Sequence, residues 1–293
     1  MEKIGIVTDI ADLTQEIIAK YQIAVVPAKL NWPELENFPG ENTFQKMREL
    51  GKRGIKSFGK TSQPSINDYL DQYNYQLERF DKVICITLTS KLSGGYNSAV
   101  QAKGFLEPKK QERVFVVDSL NGSCGQGLIV LEAVDIIKSG KGINEVIEEL
   151  EKFIPKVHFF VMLEDPKWME ASGRISSIVA NLMRKMANAG IRPLLAFKNG
   201  ILALAGLKIG AKDIPTALFK QFEADTKKLQ KERRKIRVAI THGDNLQGAQ
   251  RLKAIIEKGF KNTEIAFINI INNVVGAPTG PNTLAFAWCE IER

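Results

Sequence analysis

Apolar positions along the chain keep two rhythms, and the places where one gives way to the other mark out the elements. Residues 3–8 (KIGIVT) form a continuous β-branched run closing on Asp9, the pattern of a buried parallel strand. Helical spacing over 12–20 follows, then a second strand-like run at 23–29. The stretch 31–42, rich in Pro, Asn and Gly, reads as an irregular excursion, with helical patterns at 43–50 and 65–79 after it. Two clearer strand–loop–helix units come next. One is 82–89, a loop through Ser90 and a helix starting near Gly94. The other is 113–118, a Gly/Ser-rich loop through Gly127 and a helix at about 126–138. Strands alternating with helices predict βαβ units and a parallel sheet.

The second half has a different character. An amphipathic helix at 143–153 precedes a strand at 157–163 and a helical region across 167–188. Strands at 191–197 and 200–207 are joined through Asn199-Gly200, a favoured two-residue hairpin turn. Helix 213–232, strand 236–241, helix 245–258 and strand 263–270 follow. The hairpin requires an antiparallel pair here. The pattern therefore predicts an α/β protein with an N-terminal parallel-sheet domain over 1–153 and a C-terminal domain over 154–293. The second domain is expected to hold a mixed or antiparallel sheet with helices.

A length of 293 residues suits two domains, and 44% apolar residues supply a core for each. No apolar run reaches bilayer length, and the opening MEKIGIVTDI lacks a signal-peptide pattern, so a cytoplasmic protein without stable membrane insertion is expected. Cys85, Cys124 and Cys289 are odd in number, widely spaced and lack metal-ligand spacing, which reads as reduced thiols. The formal charge of +8 changes the picture little. Much of the excess lies in Lys227, Lys228, Lys231, Arg233, Arg234 and Lys235, at the polar end of one helix with no aromatic interleaving. A solvated helix face is the preferred reading over a nucleic-acid surface.

The usual catalytic kits are missing. There is no Gly-x-Ser-x-Gly elbow and no Gly-x-x-x-x-Gly-Lys-Ser/Thr phosphate loop. The cluster Gly122–Gly127 resembles a dinucleotide fingerprint only superficially, because Val130 holds the third glycine's place. Only two histidines, His158 and His242, are available, too few for an ordinary zinc site. His242 reads as a hydrogen-bonded structural residue, and Asp9 and Asp12 as strand-end or cap residues rather than metal ligands. Trp168 and Met169, near Met162, could line an apolar pocket, but core packing is the preferred reading. No catalytic residue, metal or cofactor is assigned, and the chain is read as a non-enzyme.

What the sequence does supply is hydroxyl-rich loops before helices. Thr61-Ser62-Gln63-Pro64-Ser65 precedes one helix, with Pro64 suited to its first turn and Ser62 to its cap. Ser90-Lys91-Leu92-Ser93-Gly94-Gly95-Tyr96-Asn97-Ser98 joins a buried strand to another. Such loops lie outside the carboxyl ends of strands, where helix N-termini offer N–H groups and partial positive charge to an anion. Gly94 and Gly95 would let that anion approach the backbone. For either loop alone, helix capping remains the commoner role of its Ser and Thr residues.

Taken in order, the motifs resemble the DegV family of fatty-acid-binding proteins over essentially the whole chain. They are Ile6-Val7-Thr8-Asp9, Thr61-Ser62-Gln63-Pro64-Ser65, Lys91-Leu92-Ser93-Gly94 with Tyr96-Asn97-Ser98-Ala99, and Val117-Asp118-Ser119. Gly173-Arg174-Ile175-Ser176, Arg192-Pro193-Leu194-Leu195 and Gly276-Ala277-Pro278-Thr279-Gly280-Pro281 complete them. The resemblance implies a long-chain fatty acid held between the two domains, the C-terminal one lipid-binding. It further implies a carboxylate bound by Thr61 or Ser62, by Ser93 and by the Gly94 N–H, with Thr279 a further candidate. Arg174 becomes a partner-contact residue, and the partner a separate ATP-dependent fatty acid kinase that makes the acyl phosphate. Two positions depart from the family pattern: Pro278 stands where a histidine is expected, and Gly210 where a basic residue is common. They mark a diverged member.

Such a ligand is physically reasonable. Burying about fourteen methylenes is worth roughly 11 kcal/mol before ordering costs, at about 0.8 kcal/mol each. Charge-assisted hydrogen bonds add roughly 1.5–3 kcal/mol each, so the tail sets affinity while the hydroxyls set orientation. Two other readings stay open: an enzyme or sensor for a small anionic metabolite using the same loops, and a basic nucleic-acid-binding regulator.

Overall fold

In the computed structural model, residues 2–54, 57–210 and 213–291 are described. The chain opens with β1 (Ile4–Thr8), α1 (Gln15–Tyr21), β2 (Ala24–Val25) and β3 (Lys29–Asn31). A 3-10 turn at Pro33–Asn37 leads to α2 (Thr43–Lys52), β4 (Lys60–Ser62), α3 (Ile66–Leu77) and β5 (Lys82–Thr87). Then come α4 (Gly95–Gly104), α5 (Pro108–Gln111), β6 (Val114–Asp118), α6 (Ser123–Lys138) and α7 (Ile143–Phe153). After β7 (His158–Met162), α8 (Lys167–Ala171) and α9 (Ser177–Asn188) come β8 (Ile191–Lys198), β9 (Ile201–Ile209) and α10 (Ile214–Lys231). The last elements are β10 (Lys235–His242), α11 (Leu246–Gly259), β11 (Thr263–Ile270), α12 (Asn273–Thr279) and β12 (Leu284–Ile291).

Two compact units form, and neither is a single stretch of chain. The first holds 1–29, 62–158 and 197–202; the second holds 30–61, 159–196 and 203–293. A cut at 153/154 lies near one of the five crossings, at 158/159. The others follow from where apolar side chains are buried. Trp32, Leu35 and Phe38 of the excursion and Phe44, Met47 and Leu50 of α2 share a core with Trp168, Ile271 and Ala277 of the second unit.

The first unit is built on a parallel sheet of order β2-β1-β5-β6. Side chains alternate across such a sheet. Val7, Val83, Cys85 and Val114 therefore face one way, onto Tyr69, Tyr73 and Leu77 of α3 and Ala99 and Ala102 of α4. On the other face lies α6, buried along most of its length. Ser65 caps α3 in a reciprocal box with Asp68: Asp68 N donates to Ser65 Oγ at 3.2 Å and Ser65 N to Asp68 Oδ2 at 2.8 Å. Ser65→Ala should cost about 1 kcal/mol of stability, read as a lower urea midpoint at unchanged slope. No change in midpoint would show the cap to be energetically idle.

The second unit carries a mixed sheet of order β11-β10-β12-β7-β8-β9. β10 runs parallel to β11 and antiparallel to β12, and β7 is antiparallel to β8. The core beneath it joins Phe160, Leu194, Val238, Ile240, Phe286 and Trp288 of the strands to Leu218 and Phe222 of α10 and Leu252 and Ile256 of α11. At the β8–β9 turn Asn199 and Gly200 take φ of 50° and 80°, the left-handed pair expected of this hairpin. The basic residues Lys227 to Lys235 are exposed, with Lys228 paired to Glu232 at 3.8 Å and Arg234 to Glu290.

The α/β class with a parallel and a mixed sheet agrees with the sequence pattern, while several elements differ in detail. The run 23–29 is broken into β2 and the first residue of β3, with Pro27, which has no N–H to give a ladder, between them. Ser62 is no cap: α3 begins at Ile66 and Ser65 caps it, so Pro64 lies outside the first turn. α6 starts at Ser123, with Gly125 and Gly127 buried inside it, because small residues let a helix lie close on a sheet. The helical region 167–188 breaks at Gly173, where φ is 72°. The pattern also missed β12, an apolar run that inserts between β10 and β7.

Candidate functional site

Parallel strands end together, and the chemistry gathers beyond their carboxyl ends. In the first unit β1 ends at Thr8, β5 at Thr87 and β6 at Asp118. The loop after β5 is pinned at both ends. Thr89 N donates to Asn121 O at 2.9 Å, Thr89 Oγ1 to Gly200 O at 3.0 Å, and Ser90 N to both carboxylate oxygens of Asp118 at 3.2 Å. Ser93 N closes the turn onto Thr89 O at 3.3 Å. α4 then starts with no side-chain cap. Ser93 Oγ accepts from Gly95 N at 3.1 Å, which leaves its own O–H available as a donor. The arrangement offers one hydroxyl and the partial positive charge of an uncapped ten-residue helix.

The loop before α3 meets this one. A Cβ on Gly94 would overlap the side-chain amide of Gln63, so the glycine admits Gln63 across the backbone. Gln63 Nε2 donates to Ser98 Oγ at 3.1 Å. The structure thus brings Ser93 and Gly94 together with the segment that carries Ser62. In β4, Thr61 and Ser62 point to opposite faces, half-buried and exposed respectively, so a given ligand meets only one of them.

Thr61, Thr279 and Arg174 belong to the second unit. Thr279 Oγ1 donates to Val275 O at 2.9 Å within α12, so its hydroxyl keeps acceptor capacity but its proton is engaged. Pro278 beside it is buried in the same helix. Arg174 is exposed in the turn between α8 and α9, its N–H donating to Met169 O at 3.0 Å. Trp168 is core, edge-on to Trp32 at a ring distance of 6.1 Å, and Met162 is buried in the sheet core. His242 is buried, its Nδ1 accepting from Asn245 N at 3.1 Å; burial lowers its pKa against an opposing pull from Asp244. No group of three or more potential metal ligands occurs among the described residues. None of the described helices is long and apolar enough to cross a membrane.

Sequence reasoning missed the buried carboxyl group beneath the loops. Asp9 is buried at the end of β1, where Oδ1 accepts from Ile10 N at 2.6 Å, Gln126 Nε2 at 2.7 Å and Leu88 N at 2.9 Å. Its Oδ2 accepts from the Tyr69 hydroxyl at 2.9 Å. Burial raises its pKa, and the four hydrogen bonds only partly oppose this. The signal was present: Asp9 interrupts the otherwise apolar run Ile6-Val7-Thr8-Asp9-Ile10-Ala11, where a carboxylate must find buried partners.

Comparison with known proteins gives a consistent result. A family model described as "Uncharacterised protein, DegV family" matches residues 3–290. A Thermotoga maritima protein named fatty acid-binding protein is 31% identical over 307 residues, covering 99% of this chain and 99% of its own. The solved structure of a DegV family protein from Thermus thermophilus, described by its fatty acid binding, has a TM-score of 0.79 at 27% identity, covering 99% and 100% of the two chains. A stearic acid-binding protein from Eubacterium ventriosum reaches 0.80 at 22% identity, covering 99% and 98%, and attests the fold alone.

Proposed function

The chain belongs to the DegV family, and on that premise we propose that it binds a long-chain fatty acid as a non-enzymatic carrier. The observation that carries the reading is the uncapped start of α4 with the Ser93 hydroxyl beside it, in a chain whose Thermotoga and Thermus relatives are described as binding fatty acids. A carboxylate taken from water loses several kcal/mol of solvation. Ser93, the helix N–H groups exposed by Gly94, and Ser62 or Thr61 replace part of it. The acyl chain supplies most of the affinity by leaving water, at about 0.8 kcal/mol per methylene. These donors are neutral, so the head group keeps its nucleophilicity for a separate ATP-dependent fatty acid kinase in the cytoplasm. Thr279 is a further head-group candidate, its O–H turning from Val275 O to the carboxylate, and Arg174, being exposed, a contact for that kinase. The carrier contributes no catalytic group and needs no cofactor.

Lipid extracted from the purified protein and analysed by mass spectrometry should contain a stoichiometric long-chain acid; a small anionic metabolite in its place would overturn the reading. Ser93→Ala should weaken binding of the free acid roughly ten- to hundredfold, the loss of one charge-assisted hydrogen bond. Binding of the methyl ester should change little, as should folding, because Ser93 lies in a half-buried loop. Equal affinity of the wild-type protein for acid and ester in titration calorimetry would contradict a carboxylate site.

A further inference from the structure

Beneath the Ser93 loop lies a second carboxyl group, that of Asp9, and it belongs to the protein. Gly95, the first residue of α4, marks where the two would meet. A Cβ built there would stand 3.2 Å from the Tyr69 hydroxyl, 3.3 Å from Asp9 Oδ2 and 3.4 Å from Ser93 Oγ. Asp9 and the proposed head-group hydroxyl therefore border the same small volume at the same helix N-terminus. Two negative charges there would compete for one partial positive charge.

Resting on the fatty-acid reading above, we propose that Asp9 is a positioning residue that sets the affinity of the head-group site: a bound carboxylate is accommodated by uptake of one proton onto Asp9. The proton comes from solvent and settles on Oδ2, and the Tyr69 hydroxyl turns from donor to acceptor. The Tyr69 O–H released in this way donates to the bound carboxylate, and no covalent bond of the protein other than Oδ2–H changes.

The surroundings single out this group. The titratable side chains facing Asp9 are Tyr69 and Tyr73 on α3 and Cys85 on β5, and burial raises the pKa of all three, so they stay neutral through the physiological range. α6 faces it with Gln126, the loop after β5 with Leu88 N, and α4 with Gly95, none of which titrates. Asp12, farther along the same loop, accepts from Ser123 Oγ at 2.5 Å. Burial raises the pKa of Asp9, the direction that favours proton uptake when a second negative charge arrives.

The sign follows from linkage. If the complex holds one more proton than the free protein, affinity for the anion falls as pH rises, by up to about tenfold per unit. The test measures binding of tetradecanoate and of tetradecanol, each as dilute monomer, between pH 6 and 9, where a monomeric acid stays ionised. Wild-type protein should lose affinity for the acid with rising pH and hold the alcohol at constant affinity. Asp9→Asn should bind the acid with a flat profile and more tightly than wild type at the alkaline end. Tyr69→Phe, which removes one stabiliser of the Asp9 anion, should shift the fall to higher pH and covers the case in which Asp9→Asn does not fold. An acid profile unchanged in Asp9→Asn, or a midpoint unmoved in Tyr69→Phe, overturns the role of Asp9 while leaving the head-group site intact. Equal, pH-independent binding of acid and alcohol overturns both.

Discussion

Phe222→Ala is expected to destabilise the second unit by about 3–5 kcal/mol, the range for emptying a fully buried phenylalanine site. Phe222 has no exposed surface and stands where three rings converge. Its centroid is 5.5 Å from Phe260, 6.2 Å from Phe286 and 6.3 Å from Trp288, each edge-on. Edge-to-face pairs contribute beyond their area, so truncation loses specific contacts as well as transfer energy. Phe286 and Trp288 are fixed in β12 between neighbouring strands and cannot move in to close the void. Hydrogen exchange should show protection falling in β10 and β12, with Phe222→Leu recovering much of it. A loss below about 1 kcal/mol would mean that the core repacks freely, against the close packing of protein interiors.

Gly280→Val should rank next, at about 2–6 kcal/mol. Gly280 ends α12 with φ 83° and ψ 172°, a region essentially reserved for glycine, and occupying it with another residue costs about 1–3 kcal/mol. A side chain there would also run into the indole of Trp168, which is buried among Trp32, Phe44 and Met47. Overpacking of that kind adds about 1–3 kcal/mol. Gly54→Ala separates the two effects. Gly54 also has positive φ, 67°, but a Cβ there meets nothing within 4 Å, so only the backbone cost of about 1–2 kcal/mol remains. Equal thermal shifts for the two variants would show that the Trp168 collision contributes nothing. Because α12 carries Thr279, fatty-acid affinity measured on folded Gly280→Val also reports whether the placement of that helix matters to binding.

Much of this was legible in sequence where local pattern and burial agree. The runs 82–89 and 113–118 became β5 and β6 because a strand buried on both faces needs apolar residues at every position. The Asn199-Gly200 turn followed from the left-handed backbone it requires. The Ser-Gly loop was placed between β5 and α4 because a glycine pair interrupts the pattern between a buried strand and a helix. Other features were hidden because distant residues decide them. The cap of α3 is an exception: Ser65, unlike Ser62, has Asp68 three residues on to close the reciprocal bond, a local signal present in the sequence. The excursion 31–42 looked irregular, yet Trp32 and Phe38 are buried because Phe44 and Trp168 complete their core.

By itself, then, the sequence determined the alternation of strands and helices, the hairpin, the lack of familiar catalytic motifs and the order of motifs that places the chain in its family. Each of these depends on short stretches whose side chains fix their own conformation. Tertiary structure alone decided that 30–61 joins the second unit and that β12 enters the middle of its sheet. It also decided that Asp9 comes to rest beside Ser93 through Tyr69, Gln126 and Gly95. Those outcomes depend on contacts between residues far apart in sequence, 117 positions for Asp9 and Gln126, where burial settles which partner each group finds.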